Sequence, residues 1–173
     1  MNKTIFLDRD GIINVDTGYV SKIEEFKFSD SIFNVLRMFQ DLGYLLIVVT
    51  NQAGIARNFY DENDFFNLTD WMLNEFKKQD IVINNVYFCP HHPEFTGECE
   101  CRKPNPGMLL KAKKEYNIDM GRSFIIGDKE SDIMAGINSG IMNTILVSPD
   151  YCDTKASKKI THIKEVLENK QWF

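Results

Sequence analysis

The sequence predicts an α/β domain built on a parallel sheet, and three observations carry that prediction. Five short apolar runs, rich in Ile, Val, Phe and Tyr, have the near-continuous hydrophobicity of strands buried on both faces. Amphipathic patterns of helix length lie between them. Several of the runs end in a carboxylate or hydroxyl just where the chain must turn, as expected where the carboxyl ends of parallel strands converge on one crevice. With 43% hydrophobic and 26% charged residues in 173, the chain has material for one substantial core, so residues 1–173 are expected to form a single domain.

Taken in order, the first strand covers residues 4–7 and runs into Asp8-Arg9-Asp10-Gly11. Asp30 can cap a helix that carries Ile32, Val35, Leu36 and Phe39 and stops before Gly43. Residues 44–50 form the most apolar strand and end at Thr50-Asn51. Asp61 starts a second helix with Phe65, Leu68, Met72 and Phe76 on one face; these and Trp71 read as core rather than as a cofactor box. A strand at 85–89 follows, then a helix with Pro106 in its first turn, carrying Met108, Leu109, Ala112 and Tyr116. The strand at 123–127 ends in Gly127-Asp128, a helix runs through Ile133, Met134 and Ile137 to Gly140, and residues 144–147 make the fifth strand. A last helix is expected at 163–169. Right-handed crossovers then give a Rossmann-like domain, a central parallel sheet with helices on both faces.

Charge and composition exclude several functions. A formal charge of -5 and a pI near 5.2 argue against a nucleic-acid partner held by a broad basic face. No run approaches the roughly 18 apolar residues of a membrane span, and residues 1–4 lead into a strand without a signal-peptide core. A cytoplasmic location, no membrane partner and a monomeric state are the resulting expectations.

The chemistry is concentrated at the element ends. A carboxylate such as Asp8 can attack phosphorus if a cation offsets its repulsion from the phosphate. Mg²⁺ takes hard oxygen ligands, which Asp8 and Asp128 offer, and Asp10 can serve as acid and then base. Thr50 and Asn51 can hold phosphate oxygens, and Lys103 is a compact cation suited to a transferring phosphoryl group. Each piece alone has a plainer reading: a turn cap for Asp-X-Asp, a strand-ending turn for Thr50-Asn51, a solvated lysine, and a helix N-cap for Asp128 ahead of Glu130, Ser131 and Asp132. Their conjunction in chain order changes the odds.

That ordered set resembles the haloacid dehalogenase superfamily of aspartate-nucleophile phosphatases, and the resemblance covers nearly the whole chain. It implies Asp8 as nucleophile, Asp10 as acid/base, Thr50 and Lys103 as phosphoryl holders, and Asp8, Asp10 and Asp128 as the Mg²⁺ site. Ile12 departs from the Thr or Val usual after Asp-X-Asp-Gly in that superfamily.

A second constellation is Cys89-Pro90-His91-His92 with Cys99-Glu100-Cys101. Three thiolates and one imidazole make a closed tetrahedral zinc site, a structural arrangement that leaves no position for water; spacing does not choose between His91 and His92. Cys152 is left over as a bystander.

A structural zinc loop on a phosphatase without a large cap domain narrows the resemblance to the histidinol-phosphate and heptose-bisphosphate phosphatases. The segments 14–20, 50–57 and 89–93 look like those of the second group, which implies removal of the 7-phosphate of a small-molecule sugar bisphosphate in the making of nucleotide-activated heptose for surface glycans. It also implies His91 as the zinc ligand. Substrate contacts are then expected from Asp16, Thr17, Gly18 and Tyr19, from Thr50, Asn51, Gln52 and Ala53 (where Ser is more usual), and from Arg57, Arg102, Lys103 and Lys129. Arg57 or Arg102 can bind the distal phosphate with fork-shaped donors. A histidinol phosphatase, which would need an anionic pocket, and a zinc-loop binding module without turnover are the competing readings.

Overall fold

The computed structural model describes residues 1–150 and 152–173. Its elements in chain order are β1 (Thr4–Leu7), α1 (Ile32–Asp41), β2 (Leu45–Asn51), α2 (Ala53–Ala56), α3 (Glu62–Lys77), β3 (Asn85–Cys89), α4 (Pro93–Thr96), α5 (Gly107–Tyr116), β4 (Phe124–Gly127), α6 (Glu130–Ser139), β5 (Asn143–Val147) and β6 (Lys158–Ile160), with short 3₁₀ turns between and after them. The six strands form one sheet in the order β3-β2-β1-β4-β5-β6, every pair parallel. Because β1 lies between β2 and β4, the direction of winding reverses beside it, and that reversal opens a crevice at the carboxyl ends of the strands. No separate cap domain is inserted among the described residues.

Two cores pack on the sheet faces. Leu7, Leu46, Val48 and Ile126 point to one side with α1 and α3 residues such as Leu36, Phe39, Met72 and Phe76; Phe6, Ile47, Val49 and Ile125 point to the other with Leu109, Ala112 and Ala135. This alternation along strands that are buried on both faces is why the sequence shows continuous apolar runs there. Phe65, Met72 and Phe76 are core and Trp71 packs against it, as the helical spacing indicates.

Differences from the sequence expectation lie at the element ends. Asp30 does not cap α1; Ser31 occupies that position in a left-handed conformation, φ 65°, with no side-chain bond to the helix. Asp61 does cap α3, in a reciprocal capping box with Asp64. Pro106 is the cap of α5 rather than a residue of its first turn. The sixth strand was not anticipated: Lys158-Lys159-Ile160 is three residues long and carries the charge typical of a sheet edge. The C-terminal turns at Ile163–Glu168 are 3₁₀ rather than α, and bury only Ile163 and Val166. Among the described residues, no helix is long and apolar enough to cross a membrane.

Helix α6, which carries Asp132, is seated on β4 and β5 through Gly136. A Cβ there would stand 2.5 Å from Ile125 Cγ2 and 3.3 Å from Thr144 Cγ2. Gly136→Ala is therefore expected to cost about 1–3 kcal/mol, seen as a lower urea midpoint with an unchanged m-value.

Candidate active site

The crevice is a cleft of about 520 Å³. Its walls come from four loops: Asp8 and Asp10 after β1, with Asp16, Gly18 and Tyr19 beyond them; Asn51, Gln52 and Ala53 after β2; Arg102 and Lys103 before α5; Lys129 at the start of α6. Residues up to 121 positions apart in sequence thus meet because the parallel strands deliver their ends to one edge.

At its floor, the Lys103 ammonium is 3% exposed and lies 2.9 Å from Asp8 Oδ1 and 2.5 Å from Asp132 Oδ1, while donating to the Val49 carbonyl at 2.7 Å. Burial alone lowers a lysine pKa; Asp132 and then Asp8 outweigh that and hold this one charged, above its ordinary value. The Lys103 backbone is fixed as firmly: its N–H donates to Asn51 Oδ1 at 3.0 Å and its carbonyl accepts from Asn51 Nδ2 at 3.1 Å. The peptide that follows, Lys103–Pro104, is cis.

Asp8 also accepts the Arg9 backbone N–H at 2.8 Å. Burial pushes its carboxyl up to about 7, opposed by Lys103 and aided by repulsion from Asp132. Asp128 is pushed up to about 6, chiefly by burial, opposed by Lys129 and aided by Asp132 and Asp16. Asp8, Asp128 and Asp132 bring carboxylate oxygens within 4.8 Å of one another, and Asp128 Oδ1 is buried with no hydrogen-bond partner. Three carboxylates, one of them with an orphaned buried oxygen, make a donor set that fits a hard dication. Gly11 is required beside it: with φ +87°, it leaves the space in which a Cβ would fall 2.3 Å from Asp128 Oδ2.

Asp10 belongs to a different group. The Arg9 guanidinium reaches both of its oxygens at 2.9 Å, Asn14 Nδ2 reaches Oδ1 and Gln52 Nε2 reaches Oδ2, each at 3.0 Å. Its carboxylate is not among the clustered oxygens of Asp8, Asp128 and Asp132, although Asp10 is expected at the Mg²⁺ site with Asp8 and Asp128. Arg9, 1% exposed, is anchored on the Val20 carbonyl at 2.7 Å and lies 5.9 Å from the centre of the Phe65 ring. The Asp10 arrangement favours a carboxylate facing the cleft in fixed orientation.

The second donor set also assembles. Cys89 Sγ, His91 Nδ1, Cys99 Sγ and Cys101 Sγ cluster, with separations of 3.3–3.6 Å and a closer Cys101–Cys89 pair at 2.8 Å. Four such atoms, three sulfurs and one imidazole nitrogen, fit a closed tetrahedral zinc site. His92 instead caps α4. The loop reaches the cleft through Arg102, whose Nη1 donates to the His91 carbonyl at 3.1 Å.

Some expected contacts are not brought together. Arg57 does not line the cleft: its guanidinium rests 4.9 Å over the Phe95 ring and meets His92 Nε2 at 3.1 Å, bracing α4 where a distal-phosphate contact was expected. Thr17 is exposed without lining it, and the Thr50 hydroxyl is fully buried, accepting from Gln52 Nε2 at 2.8 Å. Lys129 pairs with Asp16 at 3.3 Å. Sequence reasoning missed Arg9, Tyr60 and Asp132. Only Asp132 left a signal, as an acid four residues after Asp128, and it also reads as an ordinary first-turn helix acid.

Comparisons with known proteins agree with this geometry. Residues 100–169 match a HAD-hydrolase-like family model. The chain is 51% identical over 165 residues to a D-glycero-alpha-D-manno-heptose-1,7-bisphosphate 7-phosphatase of Campylobacter jejuni, covering 95% of this chain and 94% of the relative. It is 47% identical to a D-glycero-beta-D-manno-heptose-1,7-bisphosphate 7-phosphatase of Pasteurella multocida, covering 92% and 89%. Among solved structures, the D,D-heptose 1,7-bisphosphate phosphatase of B. bronchiseptica, complexed with magnesium and phosphate, superposes with a TM-score of 0.87 at 25% identity, covering 98% of each chain. A HAD-like phosphatase from Mesorhizobium loti gives 0.84 at 32%, covering 92% of this chain and 80% of that one. Sheet order, acidic cleft and near full-length identity together show that the chain belongs to the heptose-1,7-bisphosphate 7-phosphatase family of the haloacid dehalogenase superfamily.

Proposed function

We propose that this protein is a Mg²⁺-dependent phosphatase that removes the 7-phosphate of D-glycero-D-manno-heptose 1,7-bisphosphate through an aspartyl-phosphate intermediate. On this reading it works in the cytoplasm, as a monomer, on the route to nucleotide-activated heptose for surface glycans. The observation that carries the reaction type is the Asp8 carboxylate at the cleft floor, 2.9 Å from a buried ammonium and beside Asp128. The substrate assignment rests on the full-length relatives.

The residues divide the chemistry among them. Asp8 and Asp128, with Asp132 adjacent, would hold Mg²⁺, which supplies the charge that offsets repulsion between a carboxylate and an incoming phosphate. An Asp8 oxygen attacks phosphorus as the bond from phosphorus to the sugar oxygen breaks, and Asp10 protonates the departing alkoxide. Water then attacks the phosphoenzyme, giving its proton to Asp10, and the bond from Asp8 to phosphorus breaks to release inorganic phosphate. Lys103 neutralises charge that develops on the transferring group. Arg102, aimed into the cleft from the zinc loop, is the fork-shaped donor left for the distal phosphate once Arg57 is engaged elsewhere. Tyr19, Asp16 and Lys129 form the opposite wall, where sugar hydroxyls would lie.

Four measurements test this reading. Phosphate release with Mg²⁺ is expected from one or both heptose 1,7-bisphosphate anomers and not from histidinol phosphate. Asp8→Asn keeps the shape but lacks the attacking charge, so its turnover should fall by at least ~10³-fold with zinc content unchanged; residual activity near wild type would refute the covalent route. In Cys101→Ala, bound zinc should fall well below one per chain and kcat/KM should drop about tenfold, because the lost ligand lies two residues before Lys103. Full zinc occupancy with normal kinetics would refute a structural zinc. Finally, Asp8 and Asp128 both titrate above the ordinary carboxylate range, so protons compete with the metal in acid. Calorimetric Mg²⁺ affinity should rise roughly tenfold per pH unit for each proton displaced, up to about pH 7, and flatten above it.

A further inference from the structure

Tyr60 has no role in the chemistry assigned above, yet it lines the cleft, is only 8% exposed and donates its hydroxyl to Gln52 Oε1 at 2.5 Å. We infer that Tyr60 is a positioning residue: through Gln52, it sets the orientation of the amide that holds Asp10 and Thr50. The inference rests on the acid/base assignment of Asp10 proposed above.

Hydrogen-bond accounting at Gln52 leads there. Its side chain is 1% exposed, so each of its polar atoms needs a partner within the protein. The Nε2 group has two hydrogens and two acceptors, Asp10 Oδ2 at 3.0 Å and Thr50 Oγ1 at 2.8 Å. The remaining atom, Oε1, must accept, and the Tyr60 hydroxyl is its donor. Burial pushes the phenol up to about 12, so it keeps its proton through the working range. If the amide rotated by half a turn, Oε1 would face the Asp10 carboxylate, acceptor to acceptor, and Nε2 would face a hydroxyl proton. The acceptor-only Asp10 carboxylate decides which way the amide faces, and Tyr60 holds it so by supplying the donor that Oε1 then requires.

Two consequences reach the reaction. Asp10 receives Gln52 on Oδ2 and Asn14 on Oδ1, with Arg9 reaching both oxygens, which fixes the carboxylate plane that must face first the leaving oxygen and then water. Gln52 also donates to the buried Thr50 hydroxyl, so the amide that orients Asp10 is itself tied to β2 beneath the cleft. Tyr60 can approach because residue 54 is glycine: a Cβ at Gly54 would stand 2.1 Å from Tyr60 Cε1. The notch and the ring that fills it lie six residues apart, across the turn that follows α2.

The test compares wild type, Tyr60→Phe, Gln52→Ala and the double variant on heptose 1,7-bisphosphate across pH 5–9, with Asp10→Asn as reference. Phenylalanine keeps the ring in the notch and removes only the donor. In Tyr60→Phe, kcat is expected to fall roughly tenfold with KM within about twofold, since orientation rather than substrate binding is lost. In the Gln52→Ala background the same substitution should add nothing. A rise in KM with unchanged kcat, or effects of the two substitutions that multiply, would overturn the assignment by making Tyr60 a direct substrate contact or an independent contributor. A second readout does not depend on turnover: the Gln52 side-chain NH₂ resonances should be resolved and slowly exchanging in the wild type and lose that protection in Tyr60→Phe. Unchanged resonances refute the inference even if the enzyme is active. An inactive wild type with that protection lost in Tyr60→Phe refutes the phosphatase reading and leaves the Tyr60–Gln52 coupling standing.

Discussion

A buried lysine between two aspartates is the constraint around which the site is organised. Lys103 carries its charge into a place almost closed to water, where an uncompensated ammonium would be costly. Asp8 and Asp132 compensate it, one from the end of β1 and the other from the first turn of α6. Three segments that are remote in sequence must dock correctly before any of the three charges is satisfied. The arrangement stays one negative charge out of balance, and Asp128 adds a second, so the same burial that fixes the lysine leaves room for a dication. Burial first, and then repulsion from Asp132, raises the carboxyls of Asp8 and Asp128.

Around this charge cluster the site separates into two carboxylate environments. Asp8, Asp128 and Asp132 face one another with few hydrogen-bond donors, which suits a metal and a nucleophile. Asp10 is only two residues from Asp8, yet it is surrounded by donors from Arg9, Asn14 and Gln52 and is held away from the trio. Both carboxylates line the one cleft, and Gly11, with its positive φ, turns the chain after them at a point where a Cβ would collide with Asp128. Two like groups thereby acquire different roles from their neighbours alone.

Much of this was legible in the sequence, for identifiable reasons. Strands buried on both faces write themselves as apolar runs, so five of the six were placed to within about a residue; Lys158-Lys159-Ile160 escaped because an edge strand needs neither length nor apolarity. Asp8, Asp10, Lys103 and Asp128 announced themselves by lying at element ends in a fixed order, and the cysteine spacing announced its cluster. What could not be read was the partnering of residues whose types have more common uses. Asp132 is in a position that favours an acid in any helix. Arg9 follows Asp8 in a turn and would ordinarily be solvated, yet it is one of the most buried large side chains. Arg57 has the charge for a phosphate, but Phe95 and His92 hold it elsewhere. Such choices are made by packing across the sheet edge, which no local pattern encodes.

The paired bonds between the Asn51 side chain and the Lys103 backbone carry one more consequence. An amide side chain that donates to a carbonyl and accepts from the N–H of the same residue imitates a neighbouring peptide group. Asn51, the last residue of β2, thus offers a rung of ladder to a chain that is not a strand. Lys103 acquires the positional definition of a sheet residue, while the loop before it remains irregular enough to fold around a metal. Precision at the reacting end and tolerance at the binding end are obtained in neighbouring residues of one loop, so the loop is free to diverge in length and sequence without displacing the charge it delivers.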